Sequence, residues 1–349
     1  MSATVGYINA DNQIDIVFFC DDTAKLNILL SNGDGTFQKA IEFAVKDYKW
    51  IKDINVGNFN NDQSSDVVLR VQSEPVGRLI ILFGNKDGIF QEQTVLPWAT
   101  GSTALATHVS DLNYDNVSDI VINSPYEHTV QVFFGSVDGS ISSPMILSTG
   151  DASEPRLLAI GDLNNDRYFD IAVYNLNYLH ITVFFGQTNG SFLPSKPFFT
   201  GMYLAHVFNL VIGDFNNDSL SDLALICSSE EHTVVEIYRY EKDTFQSKQK
   251  IDIESIKHAA SAIVTDLNGD NHSDIVIGTS SPYAIYGLLG YGNDEFYLHT
   301  IYSSIHTGYY VHLIGNYINN DTCADVISIN DLSHSIDLFL STICGCLSD

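Results

Sequence analysis

Seven stretches about 52 residues apart constrain this chain more than any other feature in it. Each sets oxygen-bearing side chains at its first, third, fifth and ninth positions and runs straight into an apolar segment. Asp214-Phe215-Asn216-Asn217-Asp218-Ser219-Leu220-Ser221-Asp222, followed by Leu223-Ala224-Leu225-Ile226, is one near-complete copy. Four more are near-complete: Asn58-x-Asn60-x-Asp62-xxx-Asp66, Asp111-x-Asn113-x-Asp115-xxx-Asp119, Asp162-x-Asn164-x-Asp166-xxx-Asp170 and Asp266-x-Asn268-x-Asp270-xxx-Asp274. The copies beginning at Tyr7 (Asn9, Asp11, Asp15) and Tyr317 (Asn319, Asp321, Asp325) replace the first oxygen with an aromatic ring. Self-similarity at this period marks a solenoid, a propeller or an array. Because it runs from end to end, one domain of seven units over 1–349 is expected rather than two ordinary domains.

Each unit reads as four short β segments. Around Asp214, the run Val207 to Gly213 is apolar, the loop follows, and Leu223 to Cys227 is continuously apolar. A polar turn at 228–232, an alternating segment from Thr233 to Tyr240, and a further extended piece to Ile253 complete the unit. The unbroken apolar run after each loop suits a strand buried on both faces. No stretch sustains a 3.6-residue period, so little helix is expected.

The loops offer the chemistry of a hard cation. Ca²⁺ takes about six to eight oxygen ligands, and single spacers let a short loop wrap its side chains around one point. About five Ca²⁺ sites are expected, each with the carbonyl of the seventh residue (Ser64, Val117, Tyr168, Leu220 or His272) beside the four side chains. The loops at Tyr7 and Tyr317 are weaker candidates, although Asn316 offers a substitute oxygen through a one-residue slip. An EF-hand is excluded: it needs Gly at position six and Glu at twelve, where the loop from Asp266 has Asn271 and Ile277. The competing reading is a set of Asx turns that bond their own backbone without metal.

Formal net charge is −27, with 43 acidic and 16 basic residues. So acidic a field makes nucleic acid a poor partner. No run reaches the ~18 apolar residues of a membrane span, and the first residues lack a basic n-region and an apolar h-region. The five cysteines have no zinc spacing. No Gly-x-Ser-x-Gly elbow, phosphate loop or His-rich zinc motif is present, and the 11 histidines are scattered, with His108, His206, His258 and His312 in or near first-strand positions. A non-catalytic role is expected.

A second signature closes the third segment of several units: Phe83-Gly84-Asn85-Lys86-Asp87-Gly88-Ile89-Phe90, Phe134-Gly135 to Ile141, Phe185-Gly186 to Phe192, and Leu29 to Phe37. Together with the aspartate loops it resembles the FG-GAP/VCBS repeats, as in the integrin α-subunit propeller, over essentially the whole chain. That resemblance implies an all-β fold: a seven-bladed β-propeller of four-stranded antiparallel blades. The loops would join the first and second strands of each blade and bind Ca²⁺ on the lower face. Ligands would meet the opposite face, where Trp50, Trp98, Tyr126, Tyr178, Tyr203, Tyr283 and Tyr309 are the candidate contacts. The expected function is an extracellular protein-interaction or adhesion module whose loops Ca²⁺ rigidifies. A carbohydrate-binding propeller, or a non-catalytic part of a larger secreted enzyme, is the alternative. The ends depart from a complete ring: the first strand is short, and Ile343 to Cys346 is a poor fourth strand. Either the last blade is three-stranded or a longer protein supplies the missing piece. In the second case Cys20 and Cys344 would lie on neighbouring blades, where a disulfide between them is a candidate.

Overall fold

The computed structural model describes residues 2–9, 11–20, 25–45, 51–62, 64–72, 77–97, 106–194, 197–200, 206–229, 231–241, 244–304, 311–319, 321–330 and 335–341. These contain no helix. They form seven antiparallel sheets, the blades of a seven-bladed β-propeller, with strands that run in chain order across each sheet. Blades one to seven span 2–44, 51–97, 107–148, 155–199, 206–253, 259–303 and 311–339. The last has three strands among the described residues.

The chain divides into two compact units, Met1–Ile160 with Ile171–Pro197 and Gly161–Asp170 with Phe198–Asp349. In the first, Phe19 and Ile28 of blade one pack with Ile54, Leu69 and Ile80 of blade two. Val68, Leu79 and Ile81 of blade two pack in turn with Ile120, Ile122 and Phe133 of blade three. In the second, Ala224, Ile226 and Val235 of blade five meet Ile275, Ile277 and Leu288 of blade six. Val276 and Ile285 of blade six then meet Leu313 and Val326 of blade seven.

This packing explains the unbroken apolar runs. Side chains alternate across a strand, so Leu69 enters the core with blade one while its neighbour Val68 enters the core with blade three. Every residue of Asp66–Val71 and of Asp325–Asn330 is buried as a result. Each such Val, Leu or Ile contributes about 1.5–3 kcal/mol by leaving water. Fourth strands have no second neighbour on that scale; in Met145–Ser148 burial alternates with exposure.

Every second strand opens on the ninth loop residue: Asp15–Cys20, Asp66–Val71, Asp119–Ser124, Asp170–Asn175, Asp222–Ser228, Asp274–Ser280 and Asp325–Asn330. That aspartate pairs with the last residue of the first strand, as in Gly57↔Asp66, Gly213↔Asp222 and Thr265↔Asp274. The loops thus connect first to second strands, as the sequence leads one to expect.

Candidate functional site: the aspartate loops

Backbone conformation comes first. Positions four and six adopt the left-handed region in Tyr114 and Asn116 (φ 60 and 65), Asn165 and Arg167 (61 and 71), Asn217 and Ser219 (56 and 66), and Gly269 and Asn271 (76 and 64). Asn tolerates this region better than most residues. The two kinks turn successive N–H groups onto the first aspartate: Asp115 and Asn116 donate to Asp111 Oδ1 and Oδ2 at 3.0 and 2.8 Å. Asp162, Asp214 and Asp266 are held in the same way.

The fifth position closes an Asx turn. Val117, Tyr168, Leu220 and His272 donate their amides to Asp115, Asp166, Asp218 and Asp270 at 2.8–2.9 Å. The third-position Asn donates Nδ2 to the fifth-position Asp Oδ2 in all seven loops, from Asn9 to Asp11 (2.9 Å) through Asn319 to Asp321 (2.7 Å).

The ninth position does something different. Asp119 Oδ2 accepts from Leu112 N at 2.8 Å, and its Oδ1 accepts from Gly135 N, 16 residues on, at 2.9 Å. Asp15, Asp66, Asp274 and Asp325 repeat both bonds, using Ile8 and Ser31, Phe59 and Gly84, Leu267 and Gly290, and Ile318 and Ser341. Asp170 accepts from Leu163 N. These carboxylates are 0–1% exposed. Burial pushes Asp66 and Asp222 up to about 6 and Asp119 and Asp274 up to about 7, against the pull of the donated N–H groups. It raises Asp15 and Asp325 as well.

The glycine of the Phe-Gly signature now has a reason. A Cβ on Gly84 would lie 2.1 Å from Ser65 O, and one on Gly290 would lie 2.6 Å from Ser273 O. In these blades only a bare Cα lets the end of the third strand bring its N–H to the buried carboxylate; blades one and seven use Ser31 and Ser341 instead.

Whether the loops fit a cation follows from the donors left over. Asn9, Asn58 and Asn216 each hold a buried Oδ1 without a hydrogen-bond partner. A carboxylate has about four acceptor sites, and the first- and fifth-position aspartates are exposed enough to offer the rest. The donor set is therefore all hard oxygen and fits Ca²⁺. Among the described residues no three acidic, histidine or cysteine side chains gather as a preformed centre. Any ion held here draws on a mixture of carboxylate, amide and carbonyl oxygens. Asn58 departs from the first-position pattern by donating Nδ2 to Asp62 O at 2.7 Å. In the seventh loop Asn316 Oδ1 accepts from Tyr317 N at 2.9 Å.

Three further expectations meet the structure here. Tyr126 (68% exposed) and Tyr178 (50%) project from second-to-third-strand turns, as the binding-face reading requires. Tyr283 does not: it is buried, and its hydroxyl lies 2.9 Å from Ser328 Oγ and 3.1 Å from Asp337 Oδ2, because its ring fills the core between blades six and seven. Trp50, Trp98, Tyr203 and Tyr309 lie outside the described residues. Cys20 is not in a disulfide, against the expected Cys20–Cys344 pairing, whose Cys344 lies outside the described residues; among the described residues Cys323 is disulfide-bonded.

Two features escaped the sequence reading. Position two of every loop is a large apolar residue (Ile8, Phe59, Leu112, Leu163, Phe215, Leu267, Ile318), a periodic signal that was there to read. Arg239 is the other. Blade five lacks Phe-Gly, and there Asp222 Oδ1 accepts from Arg239 Nε at 3.0 Å. The missing glycine was the clue.

Residues 8–69 and 214–277 match the FG-GAP-like repeat. No curated protein matches the sequence. Among solved structures, BBS1N in complex with ARL6DN, from a lead-soaked crystal, is similar at TM-score 0.67 and 13% identity, over 97% of this chain and 91% of that one. A candidate 6-phosphogluconolactonase from Bacteroides uniformis is similar at TM-score 0.59 and 11% identity, over 88% and 85%. At such identities both likenesses speak to the fold alone.

Proposed function

We propose that this chain of FG-GAP-like repeats is a non-catalytic interaction module, of the adhesion type, whose aspartate loops take up Ca²⁺ outside the cell. The observation that carries the calcium half is the separation of roles within each loop. The ninth aspartate is consumed by the fold, whereas the carboxylates at positions one and five of the loops in blades three to six stay at least partly exposed, and Asn58 and Asn216 each hold an unpartnered Oδ1. Asp111, Asn113 and Asp115, with the carbonyl of Val117, would hold the ion in blade three, and the equivalent residues would do so in blades two, four, five and six. The ion supplies positive charge that offsets carboxylates crowded at a single turn. At Kd of about 0.1 mM and about 1 mM Ca²⁺, each site adds roughly 1.4 kcal/mol. Sites that weak fill where Ca²⁺ is plentiful. The disulfide at Cys323 supports the same oxidising setting.

The interaction half rests on the second-to-third-strand turns of blades three and four and the segment that joins these blades. His128, Ala152, Glu154 and Leu179 all take left-handed φ between 50 and 57 there. Such conformations persist only where surrounding bonds over-determine them. They are fixed by Glu154 N to His128 Nδ1, Leu176 N to Glu154 O and Asn177 N to Ser153 O, at 3.0–3.3 Å. Exposed Tyr126 and Tyr178 ride on this braced surface, with Tyr178 stacked on His180. Aromatic anchors on a rigid support suit a protein partner.

Thermal unfolding in EDTA against about 2 mM Ca²⁺, with a Mg²⁺ control and bound metal counted by mass spectrometry, tests the proposal. A Ca²⁺-selective rise in melting temperature with several ions bound is the expected result. No shift and no bound ion would remove calcium, and with it the main ground for an extracellular setting.

A further inference from the structure

A loop with the full Asp-x-Asn-x-Asp-xxx-Asp pattern sits in blade five, where an arginine is bonded to its closing aspartate. In blades one, two, three, six and seven, Oδ1 of the closing aspartate accepts a neutral backbone N–H. In blade five the third strand does not stop at a glycine; it runs on from Thr233 to Glu241 and pairs with Thr244–Ile253. That continuation brings Arg239 to the position the glycine N–H holds elsewhere, with Nε 3.0 Å from Asp222 Oδ1. Its Nη2 bonds Asp294, in the hairpin turn of blade six, and Gln249 Nε2 donates to the carbonyl of that same Asp294 at 2.7 Å. The guanidinium is largely buried, at 14% exposure.

We propose that Arg239 is a built-in counter-ion that replaces Ca²⁺ in blade five, so that loop 214–222 is the weakest calcium site among the five near-complete loops. This rests on the calcium reading of the other loops. A fixed positive charge bonded to the closing aspartate repels a dication bound a few ångströms away, with little water between to screen it. Asp294 offsets part of that charge. The same contact supplies what a Gly or Ser N–H supplies elsewhere, tying the loop to the end of the third strand, and through Asp294 it also reaches the neighbouring blade. A guanidinium fork makes that tie with two parallel anchoring points. The unpartnered Asn216 Oδ1 is neutral and adds no charge to hold a cation against that repulsion.

The test is site-resolved hydrogen exchange on the full chain in EDTA and at stepped free Ca²⁺, with native mass spectrometry for stoichiometry, on wild type and Arg239→Gln. In wild type, 111–119, 162–170 and 266–274 should gain protection with Ca²⁺, while 214–222 gains it only at about tenfold higher Ca²⁺ and is already protected in EDTA. Arg239→Gln should lose that protection in EDTA and regain it with Ca²⁺, binding one more ion at low Ca²⁺ than wild type. If 214–222 responds in wild type at the same Ca²⁺ as the others, this inference is overturned and the calcium reading stands. If no loop responds in wild type, the calcium reading falls and the inference falls with it. The wild-type arm holds even if the variant folds poorly.

Discussion

The most direct probe of the closing aspartate is a methyl group placed on its glycine partner. In Gly84→Ala the new Cβ would lie 2.1 Å from Ser65 O, and real Cβ contacts essentially never fall under 3.0 Å. The strand end must therefore move by about 0.9 Å or more, measured from the same contact. Both groups are backbone, so no side chain can swing away. Movement on that scale breaks the 2.9 Å bond from Gly84 N to Asp66 Oδ1. Forcing an extra carbon into a packed interior costs about 1–3 kcal/mol, and losing a hydrogen bond to a charged group about 1.5–3. Together about 3–5 kcal/mol is expected, independent of metal. Gly88→Ala is the internal comparison: its φ of 71 disfavours alanine, but the nearest atom to a Cβ is 3.6 Å away, so only the left-handed penalty of about 1–2 kcal/mol applies. Urea unfolding in EDTA, with unchanged m-value as the check on the denatured state, measures both. A Gly84→Ala cost no larger than that of Gly88→Ala would refute the hub reading of Asp66.

Two further outcomes follow from the same geometry. In metal-free protein, Asp66, Asp119, Asp222 and Asp274 titrate near 6–7 when folded, above the usual carboxylate value; the folded state binds their protons more tightly, so this stability is present at low pH and is lost as pH rises through 6–7. Burial lowers His108, which opposes this below about pH 6.5, so in EDTA the melting temperature should fall between pH 6.5 and 8; a flat or rising profile would contradict the assignment. Tyr126→Ala and Tyr178→Ala, both exposed, should change unfolding free energy by less than about 0.5 kcal/mol; a loss above about 1 kcal/mol by urea unfolding would make them packing residues instead of contacts.

The fold was legible because its signals repeat. Alternation and turn chemistry in a single blade leave several β architectures open, but seven closing aspartates in step allow few. Second strands were readable for a related reason: a run such as Asp222-Leu223-Ala224-Leu225-Ile226 has no polar position to face water. Single residues were less legible. Tyr283 reads like Tyr126 and Tyr178, an aromatic just after a polar turn, yet it begins a strand and its ring turns into the core with Val311 and Leu313. A one-residue difference in where a strand starts reverses a side chain, and local sequence does not set that start. Arg239 was hidden because an arginine in a strand usually marks a solvated face; its partner Asp294 lies 55 residues away.

The repeats also separate two jobs that a single loop would have merged. Position nine is aspartate in all seven loops, including those whose first position is Tyr7 or Tyr317. A residue needed only as a metal ligand has no reason to remain where another ligand is lost. A residue that accepts the position-two N–H does, and all seven accept it. The first position varies freely between Asp, Asn and Tyr because nothing in the strand pairing depends on it. The frame therefore does not depend on the first-position oxygen, and on the proposed calcium reading the first and seventh blades are the cases where the frame is kept and that oxygen is gone.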